Sequence, residues 1–367
     1  MSRPRVVVAG LGDSGLLTAI HLARADVDVV GISSKPGLVS GQELGLRLAR
    51  PDAWARDYRI GFERFRRLDG AEIVHDELVG LDVEAGRVRT RHRTIGYDVL
   101  VVATGVSNGF WRRPGFQTEA EVTAGLGAAH DRLADSASVL VVGGGAAAVG
   151  SAHQVATRWP DKSVTLAFPG ERALPRHHPR AWGVARRRLE RAGVSLLPGH
   201  RADLSAGSVA DEITGGPVAW STGQPATEAD AVLWAVGRVR PNTAWLPPEL
   251  LDEHGFVRVD PTLRMPDVPG GFAIGDVAAT DALRTSARNR ADRLLARNVM
   301  AHLRGRPLAS YRGRDRRWGS VLGPEVDGLR VFAPSGHPFR FPAWSVDRVL
   351  QPWIVRRGIY GGVRRGR

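Results

Sequence analysis

The chain has 367 residues, 43% hydrophobic and 24% charged, values that suit a globular protein of two to three domains and exclude a disordered, collagenous or repeat-built chain. Cysteine is absent, so no disulfide, redox dithiol, thiolate-bound metal or cysteine nucleophile can form, and any redox chemistry must belong to a bound cofactor. The formal charge of +13 is carried almost wholly by arginine, since Lys35 and Lys162 are the only lysines, and an Arg-, Ala- and Gly-rich composition accounts for part of it without any function.

At the N-terminal end the apolar run Val6–Ala9 predicts a buried strand that ends in glycine. Leu16, Leu17, Ala19, Ile20 and Ala23 follow at helical spacing, and Val27, Val29 and Val30 open a second strand. A chain that runs straight into a strand leaves no room for a signal peptide, and no apolar run approaches the roughly 18 residues that cross a bilayer, so a cytoplasmic location is expected. The turn between strand and helix reads Gly10-Leu11-Gly12-Asp13-Ser14-Gly15, a G-x-G-x-x-G. Its first glycine permits the tight turn, its second lets the backbone approach a pyrophosphate, and its third lets helix and strand pack closely. The acid that would hold a ribose 2′-hydroxyl is missing after the second strand, where Ser33-Ser34-Lys35 stand instead. Either serine can bond the ribose and Lys35 can approach an adenylate; a solvated loop is the alternative.

Further on come a hairpin near Leu78–Arg93 and a buried strand, Val99–Ala103, that stops at Ala103-Thr104-Gly105, a small-residue turn that a flat cofactor can approach. Trp111-Arg112-Arg113-Pro114-Gly115 reads as a crossing into a second unit. That unit opens on Val139–Val142 and a second fingerprint, Gly143-Gly144-Gly145-Ala146-Ala147-Ala148, with alanine as the accepted variant in third place. Its helix is expected over 146–158 and its return strand over 163–168. The turn after that strand again lacks an acid; Arg172 there either accommodates a 2′-phosphate, which leans toward NADPH, or is a solvated arginine. His177-His178 has no partners that would make a metal site. Arg186-Arg187-Arg188 belongs to a helix over 179–191 as a solvated face, and Trp234, before Gly237, reads as core packing. Arg240-Pro241-Asn242 returns the chain to the first unit, where the strand Gly271–Ile274 ends in Gly275-Asp276 and a helix is expected over 285–303. From residue 311 on, twelve arginines face four acids, a net +8 that favours anionic partners such as lipid head groups or nucleic acid. This tail shows little periodicity outside 346–355.

Two strand–fingerprint–helix openings about 130 residues apart predict an α/β protein with two Rossmann-like dinucleotide-binding domains, each on a parallel sheet. In order and spacing, Gly10–Gly15, Val101–Gly105, Gly143–Ala148, Val232–Gly237 with Arg240–Asn242, and Phe272–Asp276 resemble the pyridine nucleotide-disulfide oxidoreductase superfamily over about residues 3–310. Without cysteines the chain is similar to the branch of type II NADH dehydrogenases and apoptosis-inducing-factor-like proteins; Gly41–Arg47 resembles a segment of the latter that passes near the flavin.

The resemblance implies an FAD domain (1–114 and 241–310) with an inserted NAD(P)H domain (115–240), followed by a basic C-terminal segment (311–367). It implies that Gly10, Gly12, Ser14 and Gly15 meet the FAD pyrophosphate; Asp13 within the same turn is a further candidate, and Ser33 and Lys35 remain the residues read above as candidates for its ribose and adenylate. Ala103, Thr104 and Gly105 would flank the flavin with Arg47 nearby, and Gly275 and Asp276 would meet the ribityl chain. Gly143, Gly145 and Ala148 would approach the NAD(P)H phosphates and Gly237 would line the crevice, with Arg172 left as the candidate read above for a 2′-phosphate. No residue is assigned as a catalyst, because the cofactors carry the chemistry. Members commonly place a glutamate after the second fingerprint, facing the nicotinamide; here Ala148-Val149-Gly150 stands, which removes an orienting contact.

The expected activity is hydride transfer from NAD(P)H to FAD and onward to a quinone or another small acceptor. The alternative is an FAD-binding protein with weak coenzyme oxidation that serves in sensing or interaction. Trp344, Val346, Val349, Leu350, Trp353, Ile354 and Val355 among arginines suggest peripheral contact with an anionic membrane, or else a cap on the FAD domain or a homodimer interface. No recognition helix or aromatic-interleaved basic sheet speaks for nucleic acid.

Overall fold

The computed structural model describes residues 3–108, 112–205, 212–237, 239–280, 291–313, 316 and 318–366. The first sheet is wholly parallel, in the spatial order Gly271–Ala273, Val99–Val102, Arg5–Ala9, Asp28–Ser33, Glu72–His75. Its strands are valine-rich and covered on both faces, as a parallel sheet requires; Val6, Val7, Val8, Val101 and Val102 have no exposed surface. Strand order reverses about Arg5–Ala9, so the carboxyl ends of this strand and of Val99–Val102 open the crevice in which such sheets take ligands. Helix α1 (Asp13–Leu22) leaves the first strand directly. Beyond the second strand lie the short helices α2 (Leu44–Ala49) and α3 (Pro51–Tyr58). An antiparallel meander of Leu78–Asp82, Arg87–Thr90 and Thr94–Gly96 follows, one strand more than the expected hairpin.

Helix α4 (Glu119–Ala134) leads into the inserted unit behind a capping box between Thr118 and Glu121. Four parallel strands, Ser195–Pro198, Ser163–Phe168, Ser138–Val142 and Thr227–Trp234, carry an antiparallel edge strand, Thr214–Val218. Helix α5 (Ala146–Arg158) follows the fingerprint, and α6 (Pro179–Arg191) follows the return strand. Trp234 is core, as expected: it is 4% exposed, and its indole N–H donates to Thr214 Oγ1 at 2.9 Å. The chain's outward and return crossings pair as an antiparallel ribbon, Val106–Ser107 against Arg240–Pro241. Helix α7 (Ala291–Leu303) packs on α1, where His21 Nε2 meets Asp292 Oδ2 at 2.9 Å. The first residues of that expected helix, 285–290, lie outside the described residues.

The tail is more ordered than its sequence suggests. Gly319–Glu325, Gly328–Phe332 and Pro338–Pro342 form an antiparallel sheet, and a helix with wide, π-type turns spans Val346–Ile359. A register shift between Ser320 and Pro324 breaks the two-residue alternation, which hides the first strand from a periodicity reading. The sheet buries Val321, Leu322, Leu329 and Phe332 and lies on α5, where Gln154 Nε2 donates to Leu322 O and Pro324 O, both at 2.8 Å. Arg188, expected to be solvated, bonds Glu325 at 3.0 Å and Asp327 at 3.2 Å instead, because the tail sheet covers that face of α6.

Candidate functional site

The two fingerprints fold alike. Gly10 has φ +100°, and a Cβ there would lie 2.6 Å from Ala103 O; Gly143 has φ +145°, and a Cβ there would lie 2.1 Å from Ala235 O. Each first glycine is thus pressed against the exit of the neighbouring strand, in a conformation and a space that no side chain fits. The glycine capping each helix is the opposite. Gly12 precedes α1 and Gly145 precedes α5, neither helix has a side-chain cap there, and a Cβ on either glycine would meet nothing within 4 Å. Open space therefore stands at both positive helix ends, before peptide N–H groups that lack an intrahelical partner. Third positions differ: a Cβ on Gly15 would lie 1.9 Å from Gly10 O, whereas Ala148 buries its methyl completely.

A cleft of about 1250 Å³ extends from the first fingerprint. Of the residues read from the sequence, it brings together Gly10, Gly12, Asp13, Ser14, Ser33, Lys35, Arg47, Ala103, Thr104, Gly105, Gly275 and Asp276. Gly15 stays behind as a packing residue. Gly275, at φ +80°, seats the Gly-Asp turn on Ser14: a Cβ there would lie 3.0 Å from Ser14 Oγ. Thr104 and Asn242 are cross-stapled, Thr104 Oγ1 donating to Asn242 O at 2.8 Å and Asn242 Nδ2 to Thr104 O at 2.9 Å, so the exit turn of one strand is fixed by the return crossing. Asp13 turns its carboxylate to the loop before α2, accepting from Ser40 Oγ at 2.7 Å and Gly41 N at 2.9 Å.

The cleft's lining carries both signs in equal number, six carboxylates against five arginines and Lys35. Arg112, which sequence reasoning read only as part of a crossing, donates to Asp276 Oδ2 at 2.8 Å. Burial, and after it the guanidinium groups of Arg112 and Arg113, pull the pKa of Arg47 down to about 10. At another part of the lining Lys35 donates to Gly115 O; burial lowers its pKa to about 8 against the raising effect of Glu77 and Glu121. The Ser33 hydroxyl accepts from Lys35 N at 3.1 Å. A long cleft with open space at a helix N-terminus, and with Arg112 and Arg113 close enough to Arg47 to lower its pKa, fits a dinucleotide carrying a pyrophosphate.

Gly143, Gly145, Ala148, Arg172 and Gly237 lie apart from this cleft, at the second fingerprint and its crevice. Leu174 N donates to Gly144 O at 2.7 Å and folds the turn after the return strand back over the fingerprint, and Arg172 Nη1 donates within that turn to Leu174 O at 3.3 Å. Gly237 has φ +73°, with open space where a side chain would be. The position lacking the glutamate is closed rather than empty. A Cβ on Gly45 of α2 would lie 2.4 Å from Gly150 O, and one on Gly150 would lie 3.1 Å from Val321 O of the tail sheet.

The pyridine nucleotide-disulphide oxidoreductase family model matches residues 4–301. An FAD-dependent oxidoreductase of Flammulina velutipes is 28% identical over 222 residues, 59% of this chain and 66% of that protein. An NADH dehydrogenase-like protein of Mycobacterium tuberculosis is 28% identical over 340 residues, 84% of this chain and 79% of that protein. Among solved structures, a ferredoxin reductase for the CYP199A2 system of Rhodopseudomonas palustris superposes with a TM-score of 0.66 at 23% identity, covering 89% of this chain and 81% of that one. The chain spans less than two thirds of some curated relatives, 66% of the first and 36% of another.

Proposed function

The chain belongs to the pyridine nucleotide-disulphide oxidoreductase family, and from that premise we propose that it binds FAD in the cleft and NAD(P)H at the second fingerprint. Its activity on this reading is transfer of hydride from the coenzyme to the flavin and of electrons onward to a quinone or another small acceptor. The observation that carries the reading is the doubled cradle, with open space at both Gly12 and Gly145. FAD, when bound, supplies the ring that takes up and releases electrons.

The residues of the chain bind and orient. Peptide N–H groups at the start of α1 hold the pyrophosphate, and Arg112, Arg113 and Arg47 offset its charge. Asp276 accepts from the hydroxyls of the ribityl chain, with Arg112 holding the carboxylate in place. The Thr104–Asn242 staple keeps the exit turn rigid beside the flat ring, and Ser33 and Lys35 serve the adenosine end. Gly143, Gly145 and Ala148 form the coenzyme cradle with Arg172 at its rim and Gly237 in the crevice. With no cysteine in the chain, electrons leave without a thiol relay. Exposed Trp344 and Trp353, with Arg357 over the Trp353 ring, support contact with an anionic membrane surface from the cytoplasmic side, where a quinone is available.

The Gly45–Gly150 crossing favours a second reading, an FAD-binding protein with slow coenzyme oxidation acting as a sensing or interaction component. Both readings require the flavin. Purified protein should be yellow and release FAD on denaturation; a colourless preparation that takes up no added FAD contradicts both.

A further inference from the structure

Beside the cofactor cleft lies a second cavity of about 840 Å³, lined by Arg56, Arg59, Arg64, Arg356 and Arg365 against only two carboxylates, Glu63 and Glu119. These arginines come from α3, the strand Arg59–Gly61, the turn after it, the C-terminal helix and the tail beyond. Gathering like charges is unfavourable unless each is compensated. Three are: Arg59 pairs with Glu119, and Arg56 and Arg356 share Asp57, the latter at 2.9 Å.

Arg64 and Arg365 are different, because among the described residues neither meets a carboxylate. Arg64 Nε donates to the backbone oxygen of Arg364 at 3.1 Å, which leaves the outer nitrogens of its fork for another acceptor. The intervening backbone is fixed. Val363 bridges Phe65, Arg364 N donates to Arg64 O at 2.8 Å, and the Arg364 side chain holds Asp69 Oδ1 and Glu63 O, each at 2.9 Å. Two uncompensated forks are therefore mounted on one short ladder at the cavity wall. A guanidinium presents parallel donors that match the oxygens of an oxyanion, and two such positive charges suit a dianionic phosphate better than a monoanionic carboxylate.

The cavity is separate from the cofactor cleft but close to it. Gly37, Val39 and Val122 line both. The partition is a strand pair so tight that a Cβ on Gly37 would lie 2.6 Å from Ile60 O.

We propose that this cavity is a phosphate-binding site distinct from both dinucleotide cradles, taking the phosphate of a soluble compound or of a lipid head group. Calorimetric titration of the full chain, saturated with FAD, with inorganic pyrophosphate tests the soluble source. Co-sedimentation with phosphatidylcholine vesicles, with and without phosphatidic acid, tests the head group. Wild type is expected to bind at least one probe saturably and more weakly at higher salt. The Arg64→Gln/Arg365→Gln variant should bind that probe at least tenfold more weakly, with unchanged flavin absorbance and unfolding temperature. Arg365→Gln alone, at an exposed position, should weaken it severalfold and stands in should the double variant misfold. Failure of both probes to bind would overturn the proposal. So would pyrophosphate binding that survives in the arginine variants but is lost in Gly145→Val, which would assign it to the coenzyme cradle.

Discussion

Gly45 and Gly150 cross backbone to backbone: a Cβ on Gly45 would stand 2.4 Å from the Gly150 carbonyl oxygen. The missing glutamate after the second fingerprint is thus part of a packing arrangement. Helix α2 rests directly on α5, and the tail sheet closes over the same turn through Val321. A side chain at 150 would press on the Val321 carbonyl of the tail sheet, and one at 45 on the Gly150 carbonyl.

The crossing makes an asymmetric prediction. Gly45→Ala should cost roughly 1–3 kcal/mol, since the methyl meets backbone that cannot turn aside. Gly150→Ala, whose methyl would lie 3.1 Å from Val321 O, should be close to neutral, because alanine's better helix propensity of about 1 kcal/mol offsets the tight contact. Thermal unfolding of both variants measures this; equal losses would contradict the geometry.

Asp276→Ala should purify largely colourless. The change removes both the acceptor for the ribityl hydroxyls and the partner of Arg112 at 2.8 Å, adding uncompensated positive charge to a cleft where Arg47 already titrates at about 10. The ratio of flavin to protein absorbance reads the outcome, and full occupancy would remove Asp276 from the flavin site.

Gly145→Val should abolish coenzyme binding and leave FAD bound. At φ −87° with nothing within 4 Å of a Cβ, valine fits the backbone and fills only the space assigned to the phosphates. Equilibrium binding of NADH and NADPH to the yellow variant checks it, and undiminished affinity would place the coenzyme elsewhere.

Asp76 ties the end of the second strand to the meander. Its N–H donates to Ser33 O at 3.0 Å, and its carboxylate accepts from Glu77 N at 2.7 Å and His92 N at 3.1 Å. Burial opposes the charge, but the bonds from Thr90, Glu77 and His92 win and hold the pKa down to about 2. A carboxylate lowered this way stabilises the fold above its unfolded pKa near 3.9 and loses that contribution as pH falls through about 2. Asp76→Ala should therefore cost about 2 kcal/mol at pH 7, with the difference from wild type shrinking between about pH 4 and pH 2. Denaturant unfolding across that range tests the sign.

Much of this was legible in the sequence, because fingerprints carry their own geometry. Helices 146–158 and 179–191 and the strand 163–168 lie where apolar spacing and glycines place them. Glycines whose φ the turn dictates, Gly10 and Gly143, are as diagnostic in the chain as in the fold. What escaped was long-range. Arg112 and Asp276 are 164 residues apart, and nothing local marks them as partners. The tail sheet was hidden by its register shift, and with it the role of Arg188, which a helical-wheel reading leaves in solvent. The Gly45–Gly150 contact joins two helices from different units, where either glycine alone reads as a weak helix former.

The central claim, two electron carriers held by one chain, is tested most directly by mixing FAD-loaded protein anaerobically with NADH and, separately, NADPH while recording the flavin absorbance near 450 nm. Bleaching with at least one coenzyme, lost in Gly145→Val, is the expected result. A flavin band that neither coenzyme changes, at concentrations where binding is saturated, would contradict it.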